Sequence, residues 1–328
     1  GSTLDVALFG AHITSWTTPG AVGAPVERLW MSTCSPMDGS GPIRGGIPIV
    51  WPQFANDGPL PLHGFARELP WSVVESADDK GAASTSVTLE LTESEQTLSG
   101  AWREPAAAPF PWKFRLRLKV TLGAMYMQLR LEATNRGHVD ETAGPVGGEP
   151  LEFTTCFHTY FRTADSTEVR LNGGLRDTTF VDKVDGGRSK RHGSAEGTPL
   201  HTADNARDML RIEQAASESQ GFVDRIYCHD CHESTEGGVR QLLSVGRALD
   251  PDDPTQVFTY DLHQSDAFSN TVVFNPWKEG KRGPAHPDFD DDGYQYMICV
   301  EPAVAKPSTP VSLLRNRTWK GECYIGIN

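Results

Sequence analysis

Between Ile43 and Trp71 the chain reads IRGGIPIVWPQFANDGPLPLHGFARELPW. Two arginines, Arg44 and Arg67, and one histidine, His63, stand there among glycines, prolines and large apolar side chains. A guanidinium presents a rigid fork of donors matched to carboxylate or phosphate oxygens. Two of them, 23 residues apart, can therefore converge on one anion. Ile47, Ile49, Val50, Trp51 and Phe54 supply an apolar body, and apolar anchors with a few fixed polar groups are what a ligand wall requires. The bland alternative pairs each arginine with a local acid at the surface.

Two further positions have the chemistry of proton transfer. The segment TCFHTYF, Thr155–Phe161, sets His158 in an aromatic run. Desolvation there lowers an imidazole pKa, and a neighbouring carboxylate would raise it again. The segment YMICVEPAVA sets Glu301 at the end of an apolar strand, just before a proline. A carboxylate in such a run is unusual unless it is paired or functional. Each residue also has a plain reading, as a satisfied core histidine and a strand-end glutamate turned to solvent.

These groups need a scaffold, and the patterning supplies one. Residues 4–16 read as a strand, a bend at a glycine and a second strand. Residues 84–93 alternate in period two, as do 113–133, which Gly123 divides into a hairpin. Further strands are expected at 151–157, 168–172, 256–262, 270–274, 296–301 and 311–313, and one helix near Ala203–Glu213. Many short strands with turn residues between them predict an all-β sandwich or barrel-like fold. No composition shift divides the chain, so residues 3–328 are expected to form one domain. The stretches 184–199, 230–254 and 279–293 read as surface insertions, because they lack a sustained apolar period.

The blocks IRGGIP, WPQF and HGFAR, followed by HTYF and VEP, resemble the hexose-6-phosphate mutarotase (glucose-6-phosphate 1-epimerase) branch of the aldose 1-epimerase family. The resemblance runs from the first strands to Glu301. It implies the family's antiparallel β-sandwich, the galactose-mutarotase-like supersandwich, and a hexose 6-phosphate as the small-molecule partner. It also implies that His158 is the general acid for the ring oxygen and Glu301 the general base for the anomeric hydroxyl, with no cofactor. Arg44 and Arg67 would hold the phosphate, while Asp224 in FVDRIY and His63 would orient hydroxyls. Asp182 in FVDKV is a rival to Asp224. The FNPW block, Phe274–Trp277, resembles a family segment near the site, although a plain turn fits it equally well. One departure is Leu62, where relatives often carry a substrate-binding glutamine. Leucine can neither donate nor accept a hydrogen bond there, so affinity or sugar preference is expected to differ from that of the relatives, and compensation by Gln53 stays open. Two other readings stay open: a mutarotase for unphosphorylated aldoses such as galactose, and a non-catalytic sugar-binding or regulatory protein that has kept the fold.

Composition sets the outer limits. The 328 residues carry 30 Lys+Arg against 43 Asp+Glu, a net charge of −13. That balance argues against nucleic acid or an anionic membrane as the main partner, and it makes a local arginine pocket the natural receptor for an anionic ligand. No run of about 18 apolar residues appears, so no transmembrane helix is expected. The six cysteines, Cys34, Cys156, Cys228, Cys231, Cys299 and Cys323, are too scattered for a disulfide framework. Free thiols in a reducing compartment are the expectation; a cytoplasmic location and a monomeric state are separate expectations that the thiols do not fix. No signal peptide is visible, and the leading Gly1-Ser2 reads as a cloning remnant. The acidic run Asp288, Asp290, Asp291, Asp292 lacks the spacing and terminal glutamate of a calcium loop. The Cys228-His-Asp-Cys231-His232 segment has the form of a haem attachment or zinc half-site, but no second ligand pair lies nearby. No metal is expected.

Overall fold

The structure, a computed structural model, describes the chain apart from residues 21–22, 82, 104, 141–149, 167–168, 174, 176–178, 185–187, 192–209, 212–222, 230–238, 250–256 and 278–286. Among the described residues, two large antiparallel sheets dominate. The first has eight strands. Its order is Arg188–Arg191, Thr179–Asp182, Val223–Cys228, Asn270–Asn275, Met297–Val304, Thr155–Phe157 and Ile49–Val50, with Tyr160–Arg162 also paired to Met297–Val304. The second has nine strands, from Leu210–Arg211 at one edge to Ser72–Asp79 at the other, with Val257–Ser265, Thr318–Ile327, Tyr126–His138 and Trp112–Leu122 in its middle.

The alternation in the sequence explains how these sheets pack. Phe114, Leu116, Leu118 and Val120 lie on one face of a nine-stranded-sheet strand, and Met127, Leu129 and Leu131 do so on its hairpin partner. They meet Phe157, Phe161, Val223, Tyr227, Val273, Ile298 and Val300 from the eight-stranded sheet in one continuous core. That is a sandwich, as the pattern predicts. Gly123 closes the expected hairpin, its N–H donating to the Tyr126 carbonyl at 2.9 Å.

Several expectations are corrected. Leu210–Arg211, inside the expected helix near Ala203–Glu213, is a short strand paired with Arg170–Leu171, and the remainder of that stretch lies outside the described residues. Val239–Leu249, inside the expected insertion 230–254, is an eleven-residue strand paired with Val257–Ser265. Arg188–Arg191, inside 184–199, pairs with Thr179–Asp182. In all three, cross-strand pairing overrides a weak local pattern, because β structure depends on partners distant in sequence. The stretch 151–157 forms two strands rather than one, Leu151–Phe153 pairing with Val311–Leu313 and Thr155–Phe157 with the eight-stranded sheet.

The eight-stranded sheet has a second buried face, turned away from that core. Because antiparallel partners opposite one another share a face, Asp224, Phe274, Cys299 and Tyr160 form one row across four strands. Ile226, Val272 and Glu301 form the next row. The chain leaves the sheet briefly at His158 and Thr159, between the pairs Cys156–Ala303 and Tyr160–Cys299. That register brings His158 opposite Glu301.

Candidate active site

At the centre of this face, His158 Nδ1 lies 3.2 Å from Glu301 Oε1. The approach is short but lacks hydrogen-bond alignment, and Nδ1 is buried with no hydrogen-bond partner. The other carboxyl oxygen, Oε2, accepts from the Cys156 thiol at 2.9 Å. The Tyr160 ring stacks on the imidazole, with centroids 4.7 Å apart and planes 5° from parallel. Burial drives both members of the pair toward neutrality. Glu301 is raised to about 8 by desolvation, against which the Cys156 hydrogen bond acts. His158 is lowered to about 3, by desolvation first and then by the positive charges of Arg44 and Arg67. Both directions favour a neutral imidazole beside a neutral carboxylic acid.

The arginines do converge on this pocket, but in different states. Arg44 donates from Nε to Asp288 Oδ2 at 3.0 Å and from Nη2 to Asp288 Oδ1 at 3.3 Å. Its Nη1 reaches the Tyr160 hydroxyl at 3.3 Å. Burial would depress the Arg44 pKa, yet Tyr160 and Asp288 push it above its ordinary value. Arg67 is buried, and its Nη2 donates to the Leu62 carbonyl at 2.8 Å. Its Nε is 3.9 Å from Glu68 Oε1 and lacks a hydrogen bond. Desolvation lowers it to about 10, with Glu68 opposing and Arg44 adding to the drop. Two guanidiniums that repel one another in a half-buried pocket favour an anion.

Local backbone explains the placement. Gly45 and Gly46 take φ of 106° and 59°, and a Cβ there would meet the Trp30 and Ile13 carbonyl oxygens at 2.5 and 2.1 Å. Only glycine fits the turn that presents Arg44. His12 braces it: its Nε2–H donates to the Gly45 carbonyl at 2.8 Å, and burial lowers its pKa to about 4. His63 adopts φ of 67°, a left-handed conformation that a histidine holds only under constraint. Its Nδ1 accepts from the Ala55 N–H at 3.2 Å, so Nε2 carries the proton and remains a donor. The His63 ring meets His158 edge-on, with centroids 5.5 Å apart.

Asp224 joins the same face. Its pKa is raised by burial, with Lys183 opposing, and Lys183 Nζ stands 3.9 Å from its Oδ2. The rival, Asp182, is fully buried 3.9 Å from Arg225 Nε, away from this role. Gln53 does not replace the missing glutamine. Its Nε2 donates to the Ala55 and Leu60 carbonyls, and its Oε1 accepts from the Leu60 N–H, which uses it to clamp the 55–60 loop. Asn275 likewise serves the turn, donating to the Tyr294 and Met297 carbonyls and accepting from the Trp277 N–H. The acidic run is partly tied down: Asp288 holds Arg44, Phe289 packs on Trp30, and Asp290 accepts from the Thr33 N–H, while Asp291 and Asp292 are exposed. Cys228 lies on a strand, while Cys231 and His232 lie outside the described residues.

Sequence reasoning missed Cys156, Tyr160, Asp288, Lys183, His12 and Cys299. For Cys299 a signal existed, since it precedes Glu301 by two on one strand and shares its face. For Asp288 there was none, because its partner is 244 residues away.

A sandwich with a buried acid–imidazole pair beside two arginines calls for comparison with known proteins. The family model described as Aldose 1-epimerase matches residues 1–325. The chain belongs to the aldose 1-epimerase family. Within that family it is 28% identical to a protein of Cenchrus ciliaris over 98% of this chain and 80% of the relative, and 30% identical to one of Escherichia coli (strain K12) over 93% and 81%. Both carry the name "Putative glucose-6-phosphate 1-epimerase". Among solved epimerase-like folds, a "putative mutarotase" from Salmonella typhimurium superposes with a TM-score of 0.69 at 24% identity, covering 99% of this chain and 87% of that one. A galactose mutarotase-like protein from Lactobacillus casei gives 0.62 at 15% identity, covering 100% of each chain. These two likenesses establish the galactose-mutarotase-like fold. No helix among the described residues is long and apolar enough to cross a membrane.

Proposed function

We propose that this epimerase-family protein interconverts the α and β anomers of a hexose 6-phosphate, glucose 6-phosphate being the first choice. The observation that carries the reading is the buried pair His158 and Glu301, 3.2 Å apart, in a pocket that also collects Arg44 and Arg67. The reaction needs one acid and one base. Glu301 as carboxylate removes the O1 proton while His158 as imidazolium protonates the ring oxygen. The ring opens to the aldehyde, the C1–C2 bond rotates, and reclosure on the other face returns both protons. Positioned proton transfers of this kind are worth about 10²- to 10⁴-fold each.

In the unliganded protein burial is the main cause that keeps His158 from holding a proton, and the charges of Arg44 and Arg67 add to it. A phosphate dianion paired with the arginines would relieve that second contribution and raise the proton affinity of His158. Phosphate recognition and acid activation are then one event. Asp288 is the carboxylate that holds Arg44 in register for this, and His63 and Asp224 orient hydroxyls.

The test follows anomer exchange of glucose 6-phosphate by NMR, with wild type, His158→Ala and Glu301→Ala side by side. Acceleration by wild type that both variants lose, with free glucose little affected, supports the reading. Equal or faster exchange of free hexose would transfer it to an unphosphorylated-aldose mutarotase. No acceleration of either sugar would leave a binding protein.

A further inference from the structure

We propose that the floor of this pocket also binds a thiophilic divalent cation, Zn²⁺ being the type, through an imidazole nitrogen of His158, the Cys299 thiolate and a Glu301 oxygen, and that the bound cation blocks the sugar chemistry. The three side chains are buried, and their ligand atoms all lie within 4.8 Å of one another. A tetrahedral cation with bonds of about 2.0–2.3 Å holds its ligand atoms roughly 3.3–3.8 Å apart. The His158 Nδ1–Glu301 Oε1 separation of 3.2 Å is already near that spacing, and the thiol has at most about 1 Å to close.

A second observation points the same way. His158 Nδ1 is buried without a hydrogen-bond partner, although it faces Glu301. A buried ring nitrogen left without a partner is destabilising, and a cation between nitrogen and carboxylate would satisfy both. The donor set discriminates among cations. One sulfur, one imidazole and one carboxylate suit zinc, cobalt or nickel and are poor ligands for magnesium or calcium, which demand more oxygens. Three protein ligands leave a fourth position for water.

Binding releases to solvent both the Cys299 thiol proton and the proton held by the His158–Glu301 pair, and engages both side chains, so neither can exchange a proton with a sugar. The binding claim stands on the geometry alone. The inhibition claim rests on the epimerase reading above.

Cobalt(II) separates the two. Titration of the full chain with Co²⁺ is expected to give a near-ultraviolet sulfur-to-metal charge-transfer band with tetrahedral d–d bands, bleached by one equivalent of Zn²⁺. Cys299→Ser is expected to lose the charge-transfer band and to weaken Zn²⁺ inhibition at least tenfold, measured against its own metal-free rate. Mg²⁺ should do nothing, and EDTA should restore the wild-type rate. If Cys299→Ser does not fold, as judged by its thermal melt, Cys299→Ala takes its place. Absence of a charge-transfer band, or a band and Zn²⁺ sensitivity unchanged in the Cys299 variant, overturns the site. A normal band in a protein that never accelerates anomer exchange upholds the site and overturns the epimerase reading instead.

Discussion

The two ends of the pocket handle charge in opposite ways. At the His158–Glu301 end the groups in direct contact are Cys156, Tyr160, Val272 and Phe274, none of them charged, and burial drives the pair toward neutrality, with the more distant Arg44 and Arg67 lowering His158 further. At the arginine end, Asp288 lets Arg44 stay ionised while partly buried. Near-complete burial without a counter-ion favours neutral groups at one end, and partial burial beside a carboxylate keeps a fixed cation at the other. Enclosure and the presence of a built-in opposite charge both differ. Burial alone does not define an active group; its partners decide what it becomes.

Removing the neutral pair should have the largest effect. Glu301→Gln and His158→Ala are each expected to cut anomer exchange by at least about 100-fold, with circular dichroism unchanged. A loss below tenfold would mean that the acid–base role lies elsewhere.

The pH dependence sharpens the same point. Activity in the free enzyme should be bell-shaped, falling below about pH 3 and above about pH 8, where the pair gains a second proton or loses its only one. Stability follows from the same shift. Glu301 is raised from 4.5 to about 8, so the folded state holds a proton that the unfolded state has lost. That stabilisation is full below pH 4.5 and declines as pH rises through about 8. Glu301→Gln should flatten the decline in a urea-melt series, and an unchanged slope would show that Glu301 is ionised in the fold.

At the cationic end the expected effects are smaller and fall on the phosphate. Arg44→Ala and Arg67→Ala should each raise KM for glucose 6-phosphate about 10- to 100-fold, in line with the loss of a charge-assisted contact. Exchange of free glucose should not fall, since losing either cation relieves the charge repulsion that lowers His158. Asp288→Asn should also raise KM, since it frees Arg44 to wander; a lower KM would show that Asp288 competes with phosphate rather than positioning the arginine. Inorganic phosphite added to free glucose should speed its exchange several-fold in wild type and not in Arg44→Ala. No stimulation would uncouple the two ends.

The smallest effect concerns Cys156. Its thiol lowers the Glu301 pKa through the 2.9 Å hydrogen bond. Cys156→Ala should move the alkaline limb of the activity profile upward by a fraction of a unit, and Cys156→Ser, a stronger donor, should move it down. Identical limbs would reduce Cys156 to packing.

Much of this molecule was legible in the residues alone. Period-two alternation in 84–93 and 113–133 specified strands, because a pleat sends successive side chains to opposite faces. The Gly-Gly turn after Arg44 and the aromatic setting of His158 marked positions where backbone and polarity are unusual, and the resemblance of those blocks pointed to the family. Tertiary structure alone decided the rest. The strand Val239–Leu249 was hidden because its pairing partner, not its own pattern, makes it a strand. Asp288 looked like one acid in a solvated run, and it is the counter-ion of an arginine 244 residues away. Gln53 looked free to bind sugar, and the loop it clamps consumes its hydrogen bonds. His158 and Glu301 were each visible as odd residues, but their protonation states depend on burial and on charges brought close by folding. Residue type and spacing determine which chemistry is available; register and enclosure determine which atoms meet and which of them hold the proton.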